Sequence, residues 1–145
     1  MAACLFCQIV ARAVPASIVY EDDVSLAFLD VRPLFPGHCL LVPRLHVETL
    51  PELPAELLAP VFANAQNLCR AVEVAMNAAG TFVAVNNKVS QSVPHLHIHV
   101  VPRRPKDGLR GFFWPRSKYG DADEAESVRA RIDEALIRLK TSAPA

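Results

Sequence analysis

Residues 95–101 read His95-Leu96-His97-Ile98-His99-Val100-Val101, and this strict alternation constrains the fold more than any other stretch of the chain. A period of two is the period of a β-strand, on which successive side chains point to opposite faces. On a strand, Leu96, Ile98 and Val100 face a core and the three imidazoles share the other side. The spacing predicts a strand over 93–101, ended by Pro102. Three histidines in a row on one face are costly to place by accident, because each needs a polar partner once it is even partly buried. Two chemistries suit the pattern. His-x-His on a strand is common metal-ligand spacing. A neutral imidazole is also a competent nucleophile toward phosphorus, and a neighbouring imidazole can supply charge or protons near neutral pH.

The rest of the chain supplies a body for that strand. Its 145 residues are enough for one ordinary domain with a sizeable core. A hydrophobic fraction of 52% with 21% charged residues argues against disorder. Fifteen basic residues balance fifteen acidic ones, which disfavours a generic attraction to nucleic acid or to an anionic membrane. No apolar run approaches the roughly 20 residues of a membrane span, and residues 1–7 carry no basic, then apolar, leader pattern. The expectation is a cytoplasmic chain, in which four cysteines are thiols or metal ligands rather than a disulfide framework.

Apolar runs closed by turn residues predict neighbouring antiparallel strands over 24–29 and 38–42, with Arg32 to Gly37 between them. Leu57, Val61, Ala65, Leu68, Val72 and Met76 recur at helical spacing and predict a helix over 53–79 with Gly80 as its stop. Pro60 lies inside that range, so the helix either begins near it or kinks there. Residues 81–86 predict a further strand. Residues 123–140 predict a helix burying Ala125, Val128, Ile132, Leu136 and Leu139, with acids at its start and bases at its end as the helix dipole prefers. The sum is an α+β domain: an antiparallel sheet, one long helix packed on it, and a C-terminal helix.

The segment 95–101 matches the His-φ-His-φ-His-φ-φ motif of the histidine triad (HIT) nucleotide hydrolases and transferases. Gln91-Ser92-Val93, Phe28-Leu29-Asp30, Pro36-Gly37-His38 and Pro43-Arg44-Leu45-His46 resemble segments that members carry in the same order. The resemblance covers about residues 4 to 105 of a single domain over 1–145, with a C-terminal extension from 106. It implies an antiparallel sheet of about five strands and a nucleotide hydrolase acting at the α-phosphate. By resemblance His97 is the nucleophile, forming a nucleotidyl-histidine intermediate that water resolves, with its Nδ1 proton donated to the backbone carbonyl of His95. His99 stabilises charge or aids the leaving group, and Ser92 and Gln91 contact phosphate or leaving-group oxygens. Asp30 matches a ribose-binding carboxylate and Asn86 a phosphate- or ribose-contacting asparagine. Phe6, Phe28 and Val31 are candidates for the base slot. Ser90 departs from the glycine often found before Gln-Ser.

Cys4-Leu5-Phe6-Cys7 has the C-x-x-C spacing of a zinc knuckle, and taken alone it fits a redox dithiol as well. Some bacterial members pair such cysteines with two histidines, at positions matching His46 and His95, so the resemblance implies a structural zinc on Cys4, Cys7, His46 and His95. Cys39 and Cys69 lie in apolar periodic positions and read as core. His38 reads as a satisfied polar contact in preference to a pocket-rim residue. The resemblance also implies a homodimer, with Trp114 of the aromatic cluster as a candidate substrate contact from the C-terminal segment. Arg103, Arg104 and Lys106 offer charge to a polyphosphate, or form a solvated basic turn.

Two substrate classes fit: dinucleoside polyphosphates and nucleoside phosphoramidates, adenine nucleotides first among them. Pro102-Arg103 resembles the polyphosphate-cleaving members somewhat more. The third histidine, His99, argues against the transferase relatives, which carry glutamine there. Two other readings compete. One is a nucleotide-binding or scaffold protein with little turnover. The other is a metal-dependent hydrolase in which His95, His97 and His99 all bind the metal.

Overall fold

Alternation along the strands decides which side chains meet on each side of the sheet. The computed structural model describes residues 4–109 and 117–142. These fall into two compact units, Met1–Asp107 and Gly108–Ala145. The first holds a five-stranded antiparallel sheet built from β1 (Ile18–Glu21), β2 (Ser25–Leu29), β3 (Cys39–Pro43), β4 (Gly80–Ala84) and β5 (Ile98–Arg103). Their spatial order is β1-β2-β3-β5-β4. Helix α1 (Leu5–Val10), the long helix α2 (Ala55–Met76) and a short 3-10 turn (Leu50–Glu52) lie in the same unit.

Ala27, Cys39, Leu41, Ile98 and Val100 pack with Val61, Ala65, Leu68 and Val72 of α2, and Leu96 joins them. The alternate residues Leu26, Phe28, Leu40 and Val42 pack with Phe6 and Ile9 of α1. Each fully buried aliphatic side chain contributes roughly 1.5–3 kcal/mol, so both helices are held by their apolar stripes. The register pairs Leu40 with His99 and Leu41 with Ile98. His99 therefore shares a face with Leu40, on the α1 side. Among the described residues, no buried side-chain nitrogen or oxygen lacks a hydrogen-bond partner.

Several local expectations change. The ladder of β5 begins at Ile98 rather than Val93. Ahead of it, His95 N–H donates to the Val93 carbonyl (2.8 Å) and Leu96 N–H to that of Val47 (2.7 Å), so this stretch is held by a turn and a loop. Pro102 lies within β5 opposite Thr81, beyond the last residue paired to β3, where a missing N–H is tolerated. Helix α2 begins at Ala55, after Pro54, and continues through Pro60. The proline sits early enough to forfeit only one intrahelical bond. Its stop is Asn77, left-handed at φ +49°, which donates back to Glu73 and Val74, whereas Gly80 opens β4 opposite Arg103. Gly37 has φ +96°, and a Cβ there would lie 2.6 Å from Met76 Cγ, so the turn into β3 admits only glycine.

The second unit contains helix α3 (Ala122–Ser142), with Asp123 and Glu124 in its first turn and Lys140 in its last. The expected burial of its apolar stripe is not observed. Ala125 and Val128 are half-buried, while Ile132, Leu136 and Leu139 are 57%, 52% and 67% exposed. Helical periodicity identifies the apolar face but not what covers it. The expected aromatic cluster with Trp114 lies outside the described residues. No described helix is long and apolar enough to cross a membrane.

Candidate active site

His97 lies where the chain leaves the 93–96 turn and enters β5, and only 3% of it is exposed. Its Nδ1 is 2.7 Å from the carbonyl oxygen of His95. A carbonyl can only accept, so Nδ1 carries a proton, and in the neutral imidazole the lone pair is then on Nε2. Phe6 of α1 meets the imidazole edge-on at 5.2 Å between centroids, and His99 follows at 5.0 Å. The ring is thus fixed by one hydrogen bond and two packing contacts. His99 is half-buried and its Nδ1 is 2.9 Å from His38 Nε2. Burial first, then His97 and His38, push His99 down to about 4 against the opposing pull of Asp30, so it is neutral at pH 7.

His95 turns the other way. Its Nε2 donates to the Pro43 carbonyl at 2.9 Å, which leaves the Nδ1 lone pair free. Burial holds it neutral as well. That Nδ1 lies 3.4 Å from Cys4 Sγ, 3.5 Å from Cys7 Sγ and 3.3 Å from His46 Nδ1, and Cys7 Sγ is 3.3 Å from His46 Nδ1. Tetrahedral zinc with ordinary bond lengths sets sulfur and nitrogen ligands about 3.5 Å apart and two nitrogens about 3.3 Å apart. The donor set therefore fits a tetrahedral divalent metal, and the Pro43 carbonyl supplies the outer hydrogen bond that orients such a ligand.

The expectation that all three triad imidazoles line one polar face holds for only part of the set. His95 faces the cysteines, His97 is held on a carbonyl, and His99 is held on His38. Among the described residues the two groups with metal-ligating geometry are Cys4, Cys7, His46, His95 and Asp30, His38, His99. His97 belongs to neither, so the arrangement does not favour a single metal held by the three triad histidines.

The remaining candidates fall into three places. Asp30, just after β2, accepts from Arg32 N–H at 2.8 Å and lies 3.7 Å from His38 Nε2. Phe6 and Phe28 are buried against each other at 5.3 Å, whereas Val31 is 91% exposed beside Asp30. Asn86 and Gln91 hold the loop before the triad. Asn86 Nδ2 donates to the Ser90 carbonyl, while Gln91 accepts from Lys88 N–H at 2.8 Å and donates to the Glu48 carbonyl at 2.6 Å. Ser92 is exposed at the end of that loop. An apolar cavity of about 410 Å³ lies between α2 and β1–β3, but none of its lining residues belongs to the histidine cluster. His38 proves more closely tied to the site than its sequence position indicated, through its bond to His99 from 61 residues away.

The HIT domain family model matches residues 11–106. The chain belongs to the HIT family. Among HIT proteins, Protein hit of Bacillus subtilis is 37% identical over 141 residues, covering 96% of each chain. The adenosine 5'-monophosphoramidase HNT1 of Saccharomyces cerevisiae is 32% identical over 117 residues, 79% of this chain and 71% of that one. The crystal structure of a zinc-bound histidine triad family protein from Mycobacterium smegmatis matches with a TM-score of 0.71 at 35% identity, covering 97% of this chain and 98% of its own.

Proposed function

We propose that this HIT protein hydrolyses nucleotides at the α-phosphate through a covalent intermediate on His97. The observation that carries the reading is the Nδ1–H bond from His97 to the His95 carbonyl, which leaves Nε2 free to attack. The Nε2 lone pair forms an N–P bond to the α-phosphorus, and the bond to the leaving oxygen or nitrogen breaks. The leaving group departs with the electron pair and takes up a proton. Water then attacks phosphorus, the N–P bond breaks, and a nucleoside monophosphate leaves while the displaced proton passes to solvent. Two steps of this kind replace one difficult displacement.

His99 and Ser92 offer donors to the phosphate and the leaving group, and Gln91 and Asn86 shape the loop beside them. Asp30 accepts from the ribose hydroxyls, with Phe6, Phe28 and Val31 toward the base. Cys4, Cys7, His46 and His95 hold zinc, which supplies a structural clamp on α1. The zinc-bound mycobacterial relative and the fit of the donor distances support that assignment. Adenine nucleotides are the first substrates to test, since a yeast relative is named as an adenosine monophosphoramidase. The chain acts as a cytoplasmic homodimer in this reading.

The test compares the wild type with His97→Ala on diadenosine tetraphosphate and, separately, on an adenosine phosphoramidate. AMP release from at least one substrate, reduced about a thousandfold or more in the variant, is expected for a lost nucleophile. Equal rates in the two proteins would sink the mechanism. Nucleotide binding without turnover in the wild type would favour the scaffold reading instead.

A further inference from the structure

The hydrogen bonds around His38 determine more than its own position. Leu34 N–H donates to His38 Nδ1 at 3.1 Å. A backbone amide can only donate, so this nitrogen holds a lone pair. A neutral imidazole has one lone pair and one N–H, so Nε2 of His38 carries the proton. Burial keeps the ring neutral by pushing His38 below its ordinary value. That Nε2–H faces His99 Nδ1 at 2.9 Å and must donate to it. His99 then has its lone pair on Nδ1 and its proton on Nε2.

The two adjacent rings are therefore opposite tautomers. The neutral form of His97 carries Nδ1–H and a bare Nε2, and His99 carries Nε2–H. We infer that His38 is a positioning residue that fixes the tautomer of His99, so that a hydrogen-bond donor stands beside the nucleophile. The inference rests on the proposed hydrolysis for its consequence, because a donor beside an attacking nitrogen serves a phosphate or a leaving atom. Protonating His99 would set its Nδ1–H against the Nε2–H of His38. The charged or titratable groups facing His99 are His97, His38 and Asp30. The same logic removes the alternative of a cation on Asp30, His38 and His99. The only lone pair of neutral His38 is taken by Leu34, and its Nε2–H cannot ligate.

The test uses the full chain labelled with nitrogen-15 histidine, read by long-range proton–nitrogen correlation near neutral pH. Wild type is expected to show Nε2–H on His38 and His99, and Nδ1–H on His97. In His38→Leu the donor to His99 is gone. His99 should become a tautomer mixture, and kcat should fall roughly 10- to 100-fold with KM little changed. In His38→Gln the amide NH₂ takes the place of Nε2–H, and both the tautomer and most of the rate should return. If the leucine variant does not fold, the wild-type and glutamine spectra still decide the matter. Nδ1–H on His99 in wild type, or an unchanged tautomer in folded His38→Leu, overturns the inference. A wild type that shows Nε2–H on His99 but releases no AMP upholds the tautomer assignment and overturns the hydrolase reading alone.

Discussion

Ser90 occupies φ +59°, a region where the Cβ of an L-residue crowds the following carbonyl. The strain there is about 1–2 kcal/mol, and glycine returns about half of it through its greater freedom in the unfolded chain. Ser90→Gly is therefore expected to stabilise the protein by about 0.5–1 kcal/mol, measured as a higher urea midpoint, with Ser90→Ala unchanged. A second residue-scale effect comes from His99. In the unfolded chain it binds a proton below about 6.5, whereas the folded ring is pushed down to about 4. Between those values the unfolded state takes up more protons, so stability is intact above the upper value and falls as pH drops toward the lower one. Urea midpoints from pH 7 to 4.5 should decline, and His99→Asn should flatten the slope; an unchanged slope would contradict the shift. At this scale the sequence was informative wherever spacing carries chemistry. Alternation singled out His97 and His99, and C-x-x-C singled out Cys4 and Cys7. His38 was harder to read, because its link to His99 exists only through the β3–β5 register.

Helix α1 shows how much of an element can depend on contacts that local sequence does not announce. Six residues are far too few to hold a helix alone in water. Leu5–Val10 is held by Phe6 and Ile9 on the sheet, and by Cys4 and Cys7 beside His46 and His95. Resemblance supplies the ligands but no helix around them, and nothing in the sequence marks β1, whose four residues are mostly exposed and lack an alternating signal. The long apolar stripe of α2 was legible, while its ends were set by Pro54 and Asn77. For α1 the expected consequence is specific. Cys7→Ser should abolish stoichiometric zinc measured by elemental analysis, speed hydrogen exchange over residues 5–10, and destabilise the protein by about 3 kcal/mol. Chelation of the wild type should reproduce the exchange pattern. Full zinc content in Cys7→Ser would remove the cysteine from the ligand set. Because the His95 carbonyl also holds His97, the same variant should slow AMP release.

At the scale of the whole molecule, the sheet and its long helix followed from apolar periodicity, but the surroundings of α3 did not. Ile132, Leu136 and Leu139 keep more than half of their surface exposed. Fully covering a side chain of this size is worth roughly 1.5–3 kcal/mol, so the three together provide several kcal/mol for association. Under the homodimer reading, this stripe belongs to the contact between copies. Light scattering coupled to size exclusion should then give twice the 15.9 kDa chain mass. The double variant Ile132→Glu, Leu139→Glu should run at the single-chain mass, because two buried, unpaired carboxylates cost more than the contact returns. Circular dichroism on the variant separates dissociation from loss of the helix. A variant that folds and remains dimeric would exclude the α3 stripe from the interface and direct attention to the edge strand β4, where Val83 is 43% exposed. A wild type that runs at the single-chain mass at every concentration would overturn the homodimer itself.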